Sequence, residues 1–517
     1  MTWTRSEHRS RLDDAPLFDV AVVGGGVVGA GAALDAASRG LRTVLIERED
    51  YAWGTSSRST KMFHGGIRYL PQFQFGLVAE GLIEQKTLQR TASYLYKPLE
   101  FLTPMIEGTR VADLPSWATH PAISNQAFRL GLIAYDTLGL RGFGKHHRYT
   151  AEEFTAQLPL LRSKGLTGGF GYLDAQTDDS RLTIQVLKTA VRQFDATAIN
   201  HATVTSSQRR NGVWELGVRD HLADHDLTIR SRSVVAATGP KTPPVDEHMP
   251  LRLSSGVHLV VDAHGDFPSD KGVLLPETED GRVMYVIPWV GKLLVGTTDV
   301  PFTGDPMHPI PSDDEVEYLI RHYHRYFDAP ATEVLSSWVG YRALKDEGGS
   351  TAQVSRESVI EEVQPGFVQV AGGKLTTYRR IAAKAVDRLD GTLGSFRKSG
   401  TGSIALAGSG DQPVGLPDHL FHGYGTDGTK VVALDDTPLS DGVTPRGVVR
   451  HAVEEEGAVT IADVTLRRSH LSWFVKDHGR ADADVIADEL ARACGWDEAR
   501  KASELARFEA DLAREGL

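Results

Sequence analysis

Three glycines at positions 24, 26 and 29 follow a short valine-rich run and precede a stretch rich in alanine. Their G-x-G-x-x-G spacing suits dinucleotide binding. Gly24 permits a tight turn, Gly26 lets the backbone approach a pyrophosphate, and Gly29 lets a helix pack close to a strand. Glu47 ends a second predicted strand, where a carboxylate accepts hydrogen bonds from ribose hydroxyls. We therefore expect a dinucleotide site rather than a purely structural βαβ unit, and the motif alone does not separate NAD from FAD.

A dense set of hydroxyl groups follows in the stretch GTSSRSTKMFHGGIRYL, from Gly54 to Leu70. Hydroxyls at a loop-to-helix turn suit a second contact with the pyrophosphate and the ribityl chain, although Ser and Thr also favour helix N-caps. Two glycines after a histidine let the backbone run close to a flat ligand. We assign to the cofactor the following residues: Thr55, Ser56, Ser57, Ser59, Lys61, His64, Gly65 and Gly66.

Arg68 and Tyr69, near the end of this stretch, differ in chemistry from the hydroxyl-rich residues before them. A guanidinium offers a fork of donors that matches a phosphate, and a phenol adds one hydroxyl. We predict that both residues bind the substrate.

The stretch from Gly54 to Leu70 resembles the signature of FAD-dependent glycerol-3-phosphate dehydrogenases, with Thr60 where that family usually has serine. Four later regions agree with the family in the same order: LDAQTDDSRLTIQVLKTAV from Leu173, VVAATGP from Val234, VIPW and LLVGTTDV between 286 and 300, and VAGGKLTTYR from Val370. The resemblance spans roughly residues 18 to 400 and implies FAD as the cofactor.

The resemblance also implies three catalytic residues, His258, Arg342 and Lys374. His258, in SSGVHLVVD, is the expected general base, because an imidazole takes a hydroxyl proton near neutral pH. Arg342 would stabilise a developing alkoxide or hold the phosphate. By residue type alone, a histidine in such a run is more often a core residue, and a single arginine more often forms a surface ion pair. The chain departs from the family at Ser255, Ala343 and Lys241.

The segment GFVQVAGGKLTTYRR predicts a strand, a tight turn and a helix. A helix N-terminus that faces the pyrimidine end of a flavin would stabilise the negative charge that grows there on reduction. We assign Gly373 and Thr376 of this segment to the cofactor, together with Gly239 of VVAATGP. Thr297, in the Gly-Thr-Thr-Asp turn, is a predicted substrate contact.

The implied reaction is the oxidation of sn-glycerol 3-phosphate to dihydroxyacetone phosphate. His258 takes the proton of the C2 hydroxyl, the C2 hydride passes to flavin N5, and a quinone accepts the electrons. Two alternatives stay open. One is an FAD-dependent oxidase that uses oxygen and acts on glycerol 3-phosphate or a related 2-hydroxy acid or amine. The other is a flavin-binding protein without catalysis.

These residues require an α/β fold. We expect a Rossmann-like FAD-binding domain of the glutathione-reductase and D-amino-acid-oxidase type, a mixed-sheet substrate cap and a C-terminal helical domain. The expected boundaries are a disordered lead at 1–17, an oxidoreductase domain at 18–398, a linker at 399–415 and a helical domain at 416–517. The FAD-binding segments are about 18–80, 160–240 and 350–398, and the cap covers about 81–159 and 241–349.

The composition argues against several other classes of protein. The 517 residues carry 56 basic and 68 acidic side chains, a net charge of −12 that does not favour nucleic acid. The single cysteine, Cys494, allows no internal disulfide, and we predict no metal site. The sequence contains no run of eighteen apolar residues, so we predict no transmembrane helix. We expect a cytoplasmic protein, and both a peripheral contact with the inner face of the cytoplasmic membrane and a homodimer stay open.

The assignment of Arg68 to the phosphate gives a first prediction. Arg68→Ala should raise the KM for glycerol 3-phosphate by at least tenfold, since a charge-assisted bidentate contact is lost. The FAD content of the purified variant, read from its visible absorbance, should match that of the wild type. A large loss of FAD would place Arg68 on the cofactor side instead.

Overall fold

Two β-sheets and a C-terminal set of helices make up the chain in a computed structural model. The structure describes residues 3–14, 16–67, 75–108, 121–138, 145–241, 243, 245, 248–263, 267–328, 333–346 and 358–517. Arg68 and Tyr69 therefore lie outside the described residues.

The described strands are β1 (Leu17–Val23), β2 (Thr43–Ile46), β3 (Met62–Phe63), β4 (Lys97–Ile106), β5 (His147–Tyr149), β6 (Leu166–Gln176), β7 (Thr197–Ile199), β8 (Ala202–Arg210), β9 (Val213–Asp220), β10 (His225–Ala236), β11 (Leu251–Asp262), β12 (Lys271–Leu275), β13 (Met284–Trp289), β14 (Lys292–Gly296), β15 (Val300–Phe302), β16 (Val334–Lys345), β17 (Val359–Gln364) and β18 (Phe367–Ala371). The described α-helices are α1 (Arg5–Ser10), α2 (Val27–Ser38), α3 (Phe75–Thr91), α4 (Pro121–Leu138), α5 (Ala151–Gln157), α6 (Asp179–Phe194), α7 (Asp313–Tyr326), α8 (Tyr378–Asp387), α9 (Asp390–Leu393), α10 (Asp418–Tyr424), α11 (Gly428–Leu434), α12 (Gly447–Glu456), α13 (Leu471–Phe474), α14 (Ala483–Cys494) and α15 (Glu498–Glu515).

The first sheet has the strand order β17-β18-β10-β1-β2-β7, and β8 and β9 continue it beside β10. Its central strands run parallel, with β1 between β10 and β2. Parallel strands covered on both faces need apolar residues at successive positions. β1 has them, because Val20, Ala21 and Val22 are all fully buried. Helix α2 packs on this sheet between α6 and α8.

The second sheet has the order β15-β11-β14-β13-β12-β4-β6-β3, with β16 paired to β11 and β5 paired to β6. Most of its pairs are antiparallel, and β12 with β4 is parallel. The mixed sheet agrees with the predicted cap. Strand β6, however, belongs to this sheet, whereas we placed residues from 160 onward in an FAD-binding segment. The long pairing of β6 with β4 decides its position.

The amino-terminal segment is packed, so the expectation of a disordered lead for residues 1–17 was wrong for the part described. Helix α1 lies there, and Trp3 is fully buried. The guanidinium of Arg5 lies 2.7 Å from a carboxylate oxygen of the buried Asp220. One large apolar ring and one buried ion pair outweigh the polar composition of the segment.

The expected linker at 399–415 is also packed in part. Leu406 is 4% exposed, and the amide of Ala407 donates to Thr189 Oγ1 at 2.9 Å. The buried Leu406 side chain and the hydrogen bond to Thr189 of α6 therefore fix part of this segment to the rest of the chain.

The C-terminal helices are fixed to the rest of the chain by buried ion pairs. Arg58 donates to both carboxylate oxygens of Glu515, at 2.8 and 2.7 Å, and both side chains are buried. Arg181 and Glu456 form a second bidentate pair across the same boundary. Along the described ranges, no helix is both long enough and apolar enough to cross a membrane.

The Arg58–Glu515 pair predicts a large stability difference between two glutamate variants. Glu515→Ala leaves the Arg58 cation buried without its carboxylate and should cost about 3–5 kcal/mol in the free energy of unfolding. The control Glu509→Ala removes an exposed partner of Arg480 and should cost about 0–1 kcal/mol. Urea unfolding of both variants measures the difference, and equal losses would show that the buried pair does not hold the helices in place.

Candidate active site

The glycine turn joins β1 to α2 and is as tight as its spacing predicts. Gly24 has a φ of +108°, a conformation that a residue with a Cβ adopts only with strain. A Cβ on Gly29 would lie 1.9 Å from the carbonyl oxygen of Gly24. Gly26 is the N-cap residue of α2, so the amides of the first turn stand where an anion binds a helix N-terminus.

Glu47 follows β2 beside this turn. Its carboxylate accepts hydrogen bonds from the amide of Gly25 and, at 2.8 Å, from the amide of Glu49. Burial raises the pKa of Glu47 to about 7, although the two amides act in the opposite direction. The strained turn, the helix N-terminus and the carboxylate at the strand end together fit the adenine half of FAD.

The hydroxyl-rich loop links the glycine turn to the second sheet. Ser56 Oγ accepts a hydrogen bond from the amide of Val27 at 2.9 Å, at the N-terminus of α2. Thr55 Oγ1 donates to the carbonyl of Tyr341 in β16 at 2.6 Å. Ser57 Oγ makes only a long contact, 3.4 Å, with the carbonyl of Gly54. Ser56 is therefore the hydroxyl of this loop that lies beside the predicted pyrophosphate position.

Lys61 and Ser59 of the same loop converge on Asp179, the first residue of α6. Lys61 Nζ lies 2.6 Å from Asp179 Oδ1, and the amide of Ser59 donates to Oδ2 at 2.9 Å. Both charged groups are fully buried. The Lys61 ammonium also lies 4.6 Å from the ring centre of Trp289 and 5.4 Å from that of Trp338. The structure thus places the Lys61 charge in an internal ion pair with Asp179, and the cofactor contact of Lys61 stays a prediction.

His64 lies against the turn that follows β18. Thr376 Oγ1 donates to the carbonyl of His64 at 3.2 Å. The amide of Gly65 lies 3.1 Å from Asp174 Oδ1, and a Cβ on Gly65 would lie 2.2 Å from the hydroxyl of Tyr135. Two segments that were assigned to the cofactor from distant parts of the sequence are therefore adjacent.

The remaining predicted turn residues lie at strand ends. Gly239 follows β10, and Gly373 and Lys374 follow β18. Lys374 is half-buried and is the N-cap residue of a 3₁₀ turn, Leu375–Thr377, which precedes α8. The predicted helix therefore begins with this tighter turn. Since β10, β18 and β1 are parallel neighbours, their carboxyl ends share one edge of the first sheet.

His258, Thr297 and Arg342 come together on the second sheet. β11 pairs with both β14 and β16, which sets His258 opposite Gly296 and Trp338. Arg342 donates to the carbonyl of Ser255 at 3.0 Å and lies 3.5 Å from Thr297 Oγ1. These three predicted residues form one polar cluster.

The environment of His258 keeps its ring neutral. Burial lowers the pKa of His258 to about 3, and the positive charges of Arg342 and Lys61 add to that effect. The ring stacks on Trp338, with 5.9 Å between ring centres. Its Nε2 lies 2.9 Å from Thr60 Oγ1. A neutral imidazole is the form that can accept a proton.

Three residues that position the site were not predicted: Thr60 and Trp338, which contact His258, and Asp179, which contacts Lys61. Thr60 was noted only as a departure from the family signature, and Asp179 lies in the aspartate-rich segment that was quoted. Both residues stand in motifs that carry the family resemblance, and that position was a signal for a role in the site. Trp338 gave none, because its contact with His258 arises from the register of β11 with β16.

One buried trio has the residue types of a metal site. Ligand atoms of Asp50, His201 and Asp463 lie within 4.8 Å of one another. Arg467 Nε, however, lies 2.6 Å from Asp50 Oδ2, and its Nη2 lies 3.1 Å from Asp463 Oδ1. Since Arg468 also pairs with Asp50, both carboxylates are already bound by guanidinium groups, and we assign the trio to the ion-pair core.

Comparison with known proteins gives two family matches. Residues 19–379 match the family described as FAD dependent oxidoreductase, and residues 372–501 match the C-terminal domain of alpha-glycerophosphate oxidase. A Staphylococcus aureus protein named aerobic glycerol-3-phosphate dehydrogenase is 36% identical over 522 aligned positions, which cover 92% of this chain and 91% of that protein.

Solved structures agree in fold. The glycerol-3-phosphate dehydrogenase from Bacillus halodurans, complexed with FAD, aligns with a TM-score of 0.76 at 26% identity and covers 99% of this chain and 98% of its own. The L-alpha-glycerophosphate oxidase from Mycoplasma pneumoniae, with FAD bound, has a TM-score of 0.56 at 17% identity. It covers 75% of this chain and 98% of its own. The second likeness concerns the fold alone.

The pKa of His258 predicts a pH dependence of stability. An unfolded histidine takes up a proton near pH 6.5, whereas the folded residue does so only near pH 3. Between these values the unfolded state binds more protons, so this residue's contribution to stability is full above pH 6.5 and is lost as the pH falls. From pH 6.5 to 5, the loss is about 2 kcal/mol.

His258→Gln should therefore flatten the fall in unfolding free energy over that range, as measured by urea unfolding at a series of pH values. The exposed His225→Gln is the matched control for the loss of a histidine. Parallel pH profiles for all three proteins would contradict the depressed pKa.

Proposed function

We propose that this chain, which belongs to the FAD dependent oxidoreductase family, oxidises sn-glycerol 3-phosphate to dihydroxyacetone phosphate and passes the electrons from FAD to a quinone. The observation that carries the proposal is the cluster of His258, Arg342 and Thr297, joined through Thr60 to the loop that caps the glycine turn. The names of the relatives described above support the substrate.

The chain would hold FAD at two places. Gly24, Gly26, Gly29 and Glu47 would hold the adenine half of FAD, and the turn at Thr376 beside His64 would lie near its other half. When bound, FAD supplies the acceptor for the hydride from the C2 carbon.

His258 acts on the C2 hydroxyl. The neutral ring accepts the hydroxyl proton, and the Thr60 hydroxyl, 2.9 Å from Nε2, fixes the orientation of the ring. The low pKa of His258 arises in part from the cations of Arg342 and Lys61. A substrate phosphate brings negative charge that offsets these cations, so binding raises the basicity of the ring when it is needed.

Arg342 has the position to stabilise the developing oxyanion. Its guanidinium is half-buried beside Thr297 and is held by the carbonyl of Ser255. A fixed cation stabilises charge that develops in the transition state without further reorganisation. Lys374 stays a predicted catalytic residue, and Arg68 and Tyr69 stay predicted contacts for the substrate phosphate.

A second candidate is an oxidase that delivers the electrons to oxygen. The match of residues 372–501 to the C-terminal domain of alpha-glycerophosphate oxidase favours it. Stoichiometric hydrogen peroxide during turnover in air, without any added acceptor, would select the oxidase. Turnover that depends on an added quinone would select the dehydrogenase.

Anaerobic reduction tests the proposed substrate. Glycerol 3-phosphate added without oxygen should bleach the long-wavelength absorbance of the bound FAD, whereas glycerol, which lacks the phosphate, should bleach it at least tenfold more slowly. His258→Ala should retain FAD and slow the bleaching by about 10²–10⁴-fold, the usual contribution of a general base. An enzyme that dithionite bleaches and glycerol 3-phosphate does not would refute the substrate.

A further inference from the structure

The imidazole of His258 is covered on several sides by the chain itself. The residue is only 2% exposed, and its Nδ1 is buried. One face of the ring stacks on Trp338. The edge that carries Cδ2 and Nε2 faces the backbone of Gly296, since a Cβ on that glycine would lie 2.3 Å from Cδ2 and 3.0 Å from Nε2. A substrate hydroxyl therefore has little direct access to the ring.

Thr60 is the more accessible member of the pair that it forms with His258. Its Oγ1 lies 2.9 Å from Nε2, and Thr60 is half-buried whereas the ring is buried. A threonine hydroxyl donates one hydrogen bond and can accept others at the same time. It can therefore donate to Nε2 while it accepts the hydrogen of another hydroxyl group.

Two facing glycines make room for the groups around His258. Gly256 of β11 is paired with Gly340 of β16, so both positions open to the same face of the second sheet. A Cβ on Gly340 would lie 2.8 Å from the carbonyl oxygen of Arg58, so the loop just before Thr60 rests directly on the sheet. A Cβ on Gly256 would lie 2.5 Å from Arg342 Nη2. The loop and the guanidinium therefore share this face.

The alternation of side chains along β11 puts His258 on the same face. Gly256 and His258 are two positions apart, and such residues are separated by about 6.6 Å along a strand. The Arg342 guanidinium lies over Gly256 and is thus one such step from the imidazole. A substrate oxygen bound at Arg342 is separated from Nε2 by a gap that one hydroxyl can bridge, and the Thr60 hydroxyl contacts Nε2.

We propose that the Thr60 hydroxyl is a catalytic group that passes the proton of the substrate's C2 hydroxyl to His258 Nε2. The inference rests on the proposed function, since it takes the substrate and the general base from there, and it adds the path of the proton. As the C2 hydride leaves for the bound flavin, the C2 hydroxyl gives its proton to Thr60 Oγ1. Thr60 gives its own proton to Nε2 and ends the step as a hydroxyl. The substrate has then lost one hydride and one proton, its C2–O bond has become a carbonyl, and the imidazole has become an imidazolium, so the step balances.

The direction of the hydrogen bond is the first test, and it needs no substrate. The relay requires Thr60 to donate, so the neutral ring must carry its hydrogen on Nδ1 and none on Nε2. NMR spectra of the FAD-loaded protein with nitrogen-15 histidine show which ring nitrogen bears the hydrogen, and the signals of His258 are identified by their loss in His258→Gln. A hydrogen on Nε2 would overturn the relay, because Thr60 would then be the acceptor.

Three variants test the hydroxyl in anaerobic flavin reduction by saturating glycerol 3-phosphate. Thr60→Val keeps a similar volume without the hydroxyl and should slow the reduction about 10–100-fold, less than the loss of the base itself. Thr60→Ser keeps a hydroxyl and should match the wild type. The control Thr103→Val removes a buried hydroxyl without a partner among the described residues, in β4, and should also match the wild type. All variants should keep their FAD.

A hydroxyl that only orients the ring would also slow the valine variant, so the number of protons in transit is the deciding readout. The reduction rate of the wild type should be measured in mixtures of light and heavy water, at a pH where the rate does not change with pH. A relay moves two protons together, so the plot of rate against the fraction of heavy water should curve. A linear or flat plot would overturn the relay, and so would equal rates for Thr60→Val and Thr103→Val.

Failure of the relay is distinct from failure of the proposed function. Bleaching of the wild-type flavin by glycerol 3-phosphate, with a linear plot or an unaffected Thr60→Val, would count only against the relay. A wild type that dithionite bleaches and glycerol 3-phosphate does not would refute the substrate. The relay takes its proton from that substrate and would be refuted with it.

Discussion

The buried ion pair between Lys61 and Asp179 fixes the loop on which both halves of the site depend. A lysine ammonium is stable in a protein interior only with a partner, so Asp179 sets the position of Lys61 and of the residues just before it. Within the same loop, Ser56 contacts the N-terminus of α2 and Thr60 contacts His258. One short segment thus sets the distance between the glycine turn and the predicted base. Within this loop, the Ser56 hydroxyl lies at the N-terminus of α2, beside the predicted pyrophosphate position.

The C-terminal helices belong to the same arrangement. Glu515 holds Arg58 in the middle of that loop, and Glu456 holds Arg181 on α6, two residues after Asp179. Buried charges of this kind cost desolvation energy and are stable only when both partners are in place. The helical domain therefore stabilises the loop and the helix α6 that position the site. It also lines a cavity beside Trp289.

Local pattern was enough to predict the glycine turn and the buried parallel strand β1, because each follows from residue spacing along a short segment. The mixed second sheet was expected from the chain order of the FAD-binding segments, with support from individual strand runs. The grouping of His258, Thr297 and Arg342 came from the family resemblance. The packing of Trp3 and the pairing of Arg58 with Glu515 could not be predicted, since each joins residues hundreds of positions apart. The buried partner of Lys61, Asp179, could not be predicted for the same reason. Its partner became evident only when α6 and the loop were seen together.

Hydride transfer at the His258 cluster breaks the C2–H bond of the substrate, so deuterium at C2 reports on this step. The rate of anaerobic flavin reduction should be measured by stopped flow with glycerol 3-phosphate and with the same compound deuterated at C2. Hydride transfer from C2 should make the reduction several-fold slower with the deuterated substrate. Equal rates at saturating concentrations of both compounds, together with a normal effect for deuterium at C1, would contradict it.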